Sequence, residues 1–174
     1  GLTFADGTSA EADVVVGCDG IRSAVRASVF GGEGPRYVGT MCWRALAPAD
    51  ALAADHHDGH VNQWSGEGGF VISYFIRQGK FVNFVAVRQQ PGWTEPSWSV
   101  PSSVEEMLAA FPHVGEKLRG MMAAATSCSK WGQFTGEHAP RWTEGRVTLL
   151  GDSAHAMLAT FGQGANMAFE DAYV

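Results

Sequence analysis

Cysteine is scarce in this chain, and so is positive charge. Three cysteines in 174 residues, Cys18, Cys42 and Cys128, form no metal-ligand spacing and leave one thiol over from any pairing. Buried, reduced thiols in a cytoplasmic protein are therefore expected, rather than a disulfide framework. Twelve Lys and Arg against 18 Asp and Glu give a formal net charge of −6. That balance argues against nucleic acid or an anionic membrane as a main partner, since both need basic patches. No run approaches the ~20 consecutive apolar residues of a membrane span. A signal peptide, an internal repeat and a low-complexity tract are likewise missing from view. What is present is apolar: 45% hydrophobic and 17% charged residues, enough for one sizeable core.

The densest chemistry lies in the last thirty residues. In Arg146-Val-Thr-Leu-Leu-Gly-Asp-Ser-Ala-His155 an apolar run, Val147 to Leu150, ends on Gly151 and the carboxylate of Asp152. In open parallel sheets ligands sit beyond the carboxyl ends of strands, so Asp152 is placed where a ribose-like hydroxyl could be held. The turn Gly162-Gln163-Gly164 then lets a ligand approach the backbone, and the free N–H groups of Ala165 and Asn166 would meet an anionic or carbonyl oxygen. A second block, Ala12-Asp-Val-Val-Val-Gly-Cys-Asp-Gly-Ile-Arg-Ser-Ala-Val-Arg26, reads as a strand at Val14 to Val16, a turn at Asp19-Gly20, and a helix opened by Ser23. Its β-branched run fits a parallel strand covered on both faces, and Arg22 and Arg26 can reach phosphate or carboxylate.

Together the two blocks resemble the paired signatures of the flavin-dependent aromatic hydroxylases, the para-hydroxybenzoate hydroxylase-type (group A) monooxygenases. Asp19-Gly20-x-x-Ser23-x-x-Arg26 is similar to that family's second motif, and Gly151-Asp152-x-x-His155 with Gly162-Gln163-Gly164-x-Asn166 and Asp171 to its third. The segment between looks closest to the salicylate and hydroxynicotinate hydroxylase branch, through Trp43-Arg44, Tyr74-Phe-Ile-Arg77, Asn83-Phe-Val-Ala86 and Trp142. The resemblance implies an FAD cofactor, NAD(P)H as reductant, O2, and a small aromatic substrate hydroxylated through a flavin hydroperoxide. It also implies cofactor contacts from Asp19, Gly20, Arg22, Gly151, Asp152, Gly162, Gln163, Gly164, Ala165 and Asn166, with Asp152 on the ribityl chain. His155 could act as a general base, but within the motif it looks like a residue ordering the flavin loop. The family's Gly-x-Gly-x-x-Gly is absent. With a first residue inside a hairpin-like stretch and a last one inside a helix, the chain reads as an internal fragment. Two alternatives stay open: an FAD enzyme of this fold doing other chemistry such as epoxidation, and a non-catalytic FAD-domain protein.

The expected fold is α/β: a partial Rossmann-like FAD-binding domain (1–35 and 141–174) with an inserted mixed-β substrate lobe (36–140). In that lobe Tyr37 to Leu46 reads as a strand, and Phe70 to Arg77 and Phe81 to Arg88 as a hairpin around Gln78-Gly79-Lys80. Gln90 to Pro101 reads as a loop. Ser102 or Ser103 caps a helix through Glu105 and Glu106, Val114 to Ala125 reads as another helix, and Ser129 to Thr135 as a returning strand. Tyr74, sharing a face with Phe70, Ile72 and Ile76, is the candidate lining the substrate pocket. Two departures from the branch stand out: Phe70 where a histidine is usual, and Ala159 where a proline is usual. His56, His57 and His60 among Asp55 and Asp58 lack metal spacing and read as a solvated loop, so no metal is expected. Gly66-Glu-Gly-Gly69 lacks the lysine of a phosphate loop and reads as a hairpin turn.

Overall fold

The computed structural model describes residues 1–53 and 59–174. The histidine-rich stretch at 54–58, with His56 and His57, lies outside the described residues. In chain order the elements begin with a small hairpin, β1 (Leu2–Thr3) and β2 (Ser9–Ala10), then β3 (Val15–Gly17) and α1 (Ala24–Val29). The long β4 (Arg36–Pro48) is followed by β5 (Asn62–Gly66), β6 (Gly69–Ile76), β7 (Phe81–Gln89) and the short β8 (Val100–Pro101). Helices α2 (Val104–Ala110) and α3 (Glu116–Ala123) precede β9 (Ser127–Thr135). The chain closes with β10 (Thr143–Glu144), β11 (Val147–Leu149), α4 (Asp152–His155) and α5 (Gly164–Tyr173). These elements form two compact units, Gly1–Arg36 with Phe134–Val174, and Tyr37–Gln133.

In the first unit β11 pairs in parallel with β3, Val147 opposite Val15 and Leu149 opposite Gly17, while β10 pairs antiparallel on the other side. The strand here starts at Val15 rather than Val14, and it is not covered on both faces as its β-branched run suggested: Val14 is 58% and Val16 50% exposed. β3 is an edge strand, and among the described residues α1 packs on one of its faces only. A Cβ on Gly17 would stand 3.0 Å from the side chains of both Leu149 and Val25, so glycine is what lets helix and strands approach.

The second unit is a six-stranded sheet in the order β5-β6-β7-β4-β9-β8. Alternation divides it cleanly. Met41, Trp43, Ala45 and Ala47 of β4, Val71 of β6, and Val82, Phe84 and Ala86 of β7 form the core with Met107 and Phe111 at α2 and Leu118, Met121 and Met122 of α3. Two helices thus seal one face. Ser103 caps α2 by accepting the Glu106 N–H at 3.1 Å, and Glu106 is held in turn by Ser102 and Lys130. The stretch read as loop through Pro101 ends instead in β8, paired with Ser129 and Lys130 of β9; as an edge strand it tolerates the proline. The helix expected over Val114 to Ala125 is shorter, because Gly115 is its N-cap. Arg77 leaves its strand for a tight turn in which Arg77, Gln78 and Gly79 all take positive φ, 51°, 59° and 80°.

Candidate functional site

In the first unit two turns leave the carboxyl ends of adjacent parallel strands, the crevice position of open α/β sheets. Ser153 ties them together. Its Oγ lies 2.5 Å from the Gly17 carbonyl and 2.7 Å from that of Leu150, and the Leu150 N–H donates to Gly17 O at 3.0 Å. No sequence reading singled out this serine; a small hydroxyl residue one place after Gly-Asp was the available signal.

Asp19 spends its carboxylate locally. One oxygen accepts the Ser23 hydroxyl at 2.5 Å and the other the Val25 N–H at 3.1 Å, which satisfies the N-terminus of α1. Burial acts to raise its pKa, but these bonds outweigh it and hold the carboxyl below its ordinary value. Gly20 supplies φ 78° for the turn. Arg22 is exposed, its guanidinium 5.0 Å from the centroid of the Phe134 ring. Arg22 and Arg26 border a small cavity with the glycine-rich stretch Gly31–Gly34.

The opposite arrangement holds at the third motif. Asp152 is exposed at the start of α4 and has neither hydrogen bond nor ion pair among the described residues. Its Oδ1 lies 4.0 Å from where a Cβ on Gly164 would stand, so the carboxylate and the glycine turn converge. Gly162 takes φ 63°, and α5 starts at Gly164 with no side-chain cap from Gln163. The N–H groups of Gly164, Ala165 and Asn166 have no intrahelical acceptor, the first internal bond running from Met167 to Gln163. Asn166 Nδ2 reaches Gln163 Oε1 at 3.4 Å. An unpaired carboxylate beside an uncapped helix terminus matches what a ligand with sugar hydroxyls and ring carbonyls would use.

Behind this surface His155 is buried, with Nε2 2.7 Å from Asp171 Oδ2. The same oxygen accepts the Gly151 N–H at 2.8 Å. Asp171 of α5 therefore clamps the strand-to-helix turn that presents Asp152. Burial pushes the Asp171 pKa up, yet the Gly151 and His155 contacts prevail and lower it overall. Trp142 packs against His155 with the rings tilted by 39° and their centroids 4.9 Å apart. The imidazole is thus engaged through Nε2, while its buried Nδ1 has no hydrogen-bond partner among the described residues.

In the second unit Tyr74 is half-buried on the sheet face that the helices leave uncovered. Register puts Phe70, Ile72 and Tyr74 opposite Val87, Val85 and Asn83 of β7, and these opposite Cys42, Arg44 and Leu46 of β4. Cys42, Val87 and Trp131 form a small apolar cluster there with Phe70 and Val85. Arg44 lies 5.0 Å over the Trp131 ring and makes no ion pair among the described residues. The three thiols are free, but only Cys42 is fully buried, its pKa pushed up by burial to about 12; Cys128 is half-buried. Cys18, expected buried, is exposed in the turn after β3.

Residues 5–174 match the family model described as FAD binding domain, so the chain belongs to that family. It is 43% identical over 173 residues to the 3-amino-4-hydroxybenzoate 2-monooxygenase PtnB3 of Streptomyces platensis, covering 99% of this chain and 43% of the relative. A salicylate hydroxylase solved as a substrate complex superposes with a TM-score of 0.84 at 31% identity, over 98% of this chain and 46% of that one. HpxO of Klebsiella pneumoniae, solved with FAD and uric acid, gives 0.80 at 29% identity, over 98% of this chain and 43% of that one. The chain thus spans somewhat under half the length of these relatives. None of the described helices is long and apolar enough to cross a membrane.

Proposed function

We propose that this chain contributes the ribityl- and ring-contacting part of an FAD site, together with a substrate-facing sheet, to an NAD(P)H-dependent aromatic monooxygenase. The observation that carries the reading is the pairing of a free, exposed Asp152 carboxylate with the uncapped start of α5 across the Gly162–Gly164 turn, in a chain of the FAD-binding family. When bound, FAD would supply the electron transfer from NAD(P)H and the activation of O2. The chain's residues would do the rest. Asp152 would accept hydrogen bonds from ribityl hydroxyls. The N–H groups of Gly164, Ala165 and Asn166 would face the pyrimidine edge of the ring system, where the positive end of the α5 dipole favours negative charge. Gly151, Gly162 and Gln163 would shape that turn. Asp19 and Gly20 would fix the start of α1 so that Arg22 faces the cofactor-access side.

The sheet face that the helices of the second unit leave uncovered supports a substrate class. Aromatic and aliphatic side chains of Phe70, Ile72 and Val85 suit a planar ring, and the phenol of Tyr74 suits a ring substituent. Arg44, a cation without an ion-pair partner among the described residues, suits a carboxylate. A hydroxylated aromatic acid satisfies all three. Phe70 brings no proton acceptor, so deprotonation of a phenol falls to Tyr74, water or another residue.

The test uses the FAD-loaded protein that contains this chain. 3-Amino-4-hydroxybenzoate or salicylate should stimulate NAD(P)H oxidation and yield a product carrying one oxygen atom from labelled O2. Tyr74→Phe should lower that stimulation or divert it to hydrogen peroxide while FAD stays bound. Protein that loads FAD yet oxidises NAD(P)H at the same rate with and without every aromatic acid offered would refute the reading.

A further inference from the structure

We propose that Asn83, on the strand beside Tyr74, reads a ring oxygen of the substrate and so sets which hydroxylated ring the site accepts. The inference rests on the aromatic-acid reading above and adds the residue that discriminates. Asn83 lies mid-strand in β7, between Val82 and Phe84 of the helix-covered core, and is only 4% exposed. Its amide nitrogen is fully shielded and has no hydrogen-bond partner among the described residues. A buried amide without a partner destabilises the fold, and an apolar residue would suit an apolar run far better. By contrast, Gln133 Oε1, also buried in this unit, accepts the Thr40 hydroxyl at 2.8 Å.

Two features separate Asn83 from Trp43, whose indole nitrogen is also shielded and unpartnered. Trp43 lies in the core on the face covered by α2 and α3, packed edge-on against Phe111. Asn83 lies on the other face, directly opposite Tyr74 in the antiparallel register. Side chains so opposed stand within about 5.5 Å at Cβ, so one ligand oxygen can meet both the phenol and the amide. Both are neutral groups suited to a hydroxyl or phenolate. The cation, Arg44, sits one diagonal step away, opposite Val85, which leaves it for the carboxylate. The face therefore sorts the two polar ends of a hydroxylated aromatic acid.

The experiment compares wild type, Asn83→Leu and Asn83→Asp as FAD-loaded proteins containing this chain. Dissociation constants are measured from the perturbation of flavin absorbance. Each hydroxylated acid is paired with its counterpart lacking the ring hydroxyl: 3-amino-4-hydroxybenzoate with 3-aminobenzoate, and salicylate with benzoate. Wild type should prefer one hydroxylated acid over its partner, and Asn83→Leu should lose about tenfold of that preference, the scale of one buried hydrogen bond. Without ligand the Leu variant should melt at or above the wild-type temperature, which a structural amide would not allow. Asn83→Asp keeps the shape, removes the donor and should also lose the preference. Unchanged discrimination in both variants, or equal weakening toward both members of a pair, overturns the role of Asn83 alone. Wild-type protein that binds none of the four acids overturns the aromatic-acid reading, and this inference with it.

Discussion

Two aspartates in the first unit show how the same side chain is put to different uses by its partners. Asp19 has both oxygens committed to α1, whereas Asp152 has neither committed to anything described. Replacing Asp152 with Ala in the FAD-loaded protein should weaken flavin binding by ~1.5–3 kcal/mol, the range for a hydrogen bond to a charged group. Asp152→Asn should cost less, because its amide oxygen still accepts. A flavin titration that returns the wild-type affinity for the alanine variant would displace the cofactor from this turn. Asp171 offers a test through pH. Its carboxyl titrates below the ordinary value of 3.8 in the folded state, so its stabilisation is complete above the unfolded value and is lost as pH falls through the lower folded one. Asp171→Asn should therefore be less stable at neutral pH by about 1–2 kcal/mol, and the gap to wild type should close in acid. Urea denaturation across that pH range measures it, and a gap that persists at the acid end counts against the clamp.

At the scale of elements, the hairpin between β6 and β7 carries local strain that its sequence does not explain. Gln78 and Gly79 occupy the centre of a turn closed by Lys80 N–H to Arg77 O, with φ of 59° and 80°. That is the mirror-image two-residue turn, in which asparagine followed by glycine is favoured. Gln78→Asn should stabilise the protein by up to ~1 kcal/mol, and a β-branched residue there should destabilise it. Chemical denaturation of the two variants checks the sign. Gln78-Gly79-Lys80 was legible as a turn from the glycine alone, but the handedness was not, since glutamine carries no preference for positive φ. The α2 cap was fully legible, because Ser103 and Glu106 are neighbours in sequence and their bond is local.

At the scale of the molecule, the first unit carries the proposed cofactor turn and the second the proposed substrate-facing sheet. Because the sequence contains no Gly-x-Gly-x-x-Gly, the 174-residue chain by itself would bring the proposed ribityl and ring contacts without that helix-terminus pyrophosphate site. It should hold FAD weakly. Equilibrium dialysis of the isolated chain checks this, and stoichiometric yellow protein with micromolar or tighter affinity would contradict it. The sequence determined the α/β character, the two glycine-aspartate turns, the alternation of β6 and β7 and the family, since these rest on spacing and short-range preference. Only the tertiary structure decided which face of the six-stranded sheet the helices leave uncovered, that Asp171 grips both His155 and Gly151, and that Asn83 is buried opposite Tyr74 with its amide nitrogen unpartnered among the described residues. A two-residue period sorts side chains into two faces but cannot say which one a helix will cover. Hydrogen-bond partners far apart in sequence are likewise chosen by packing, which no local pattern encodes.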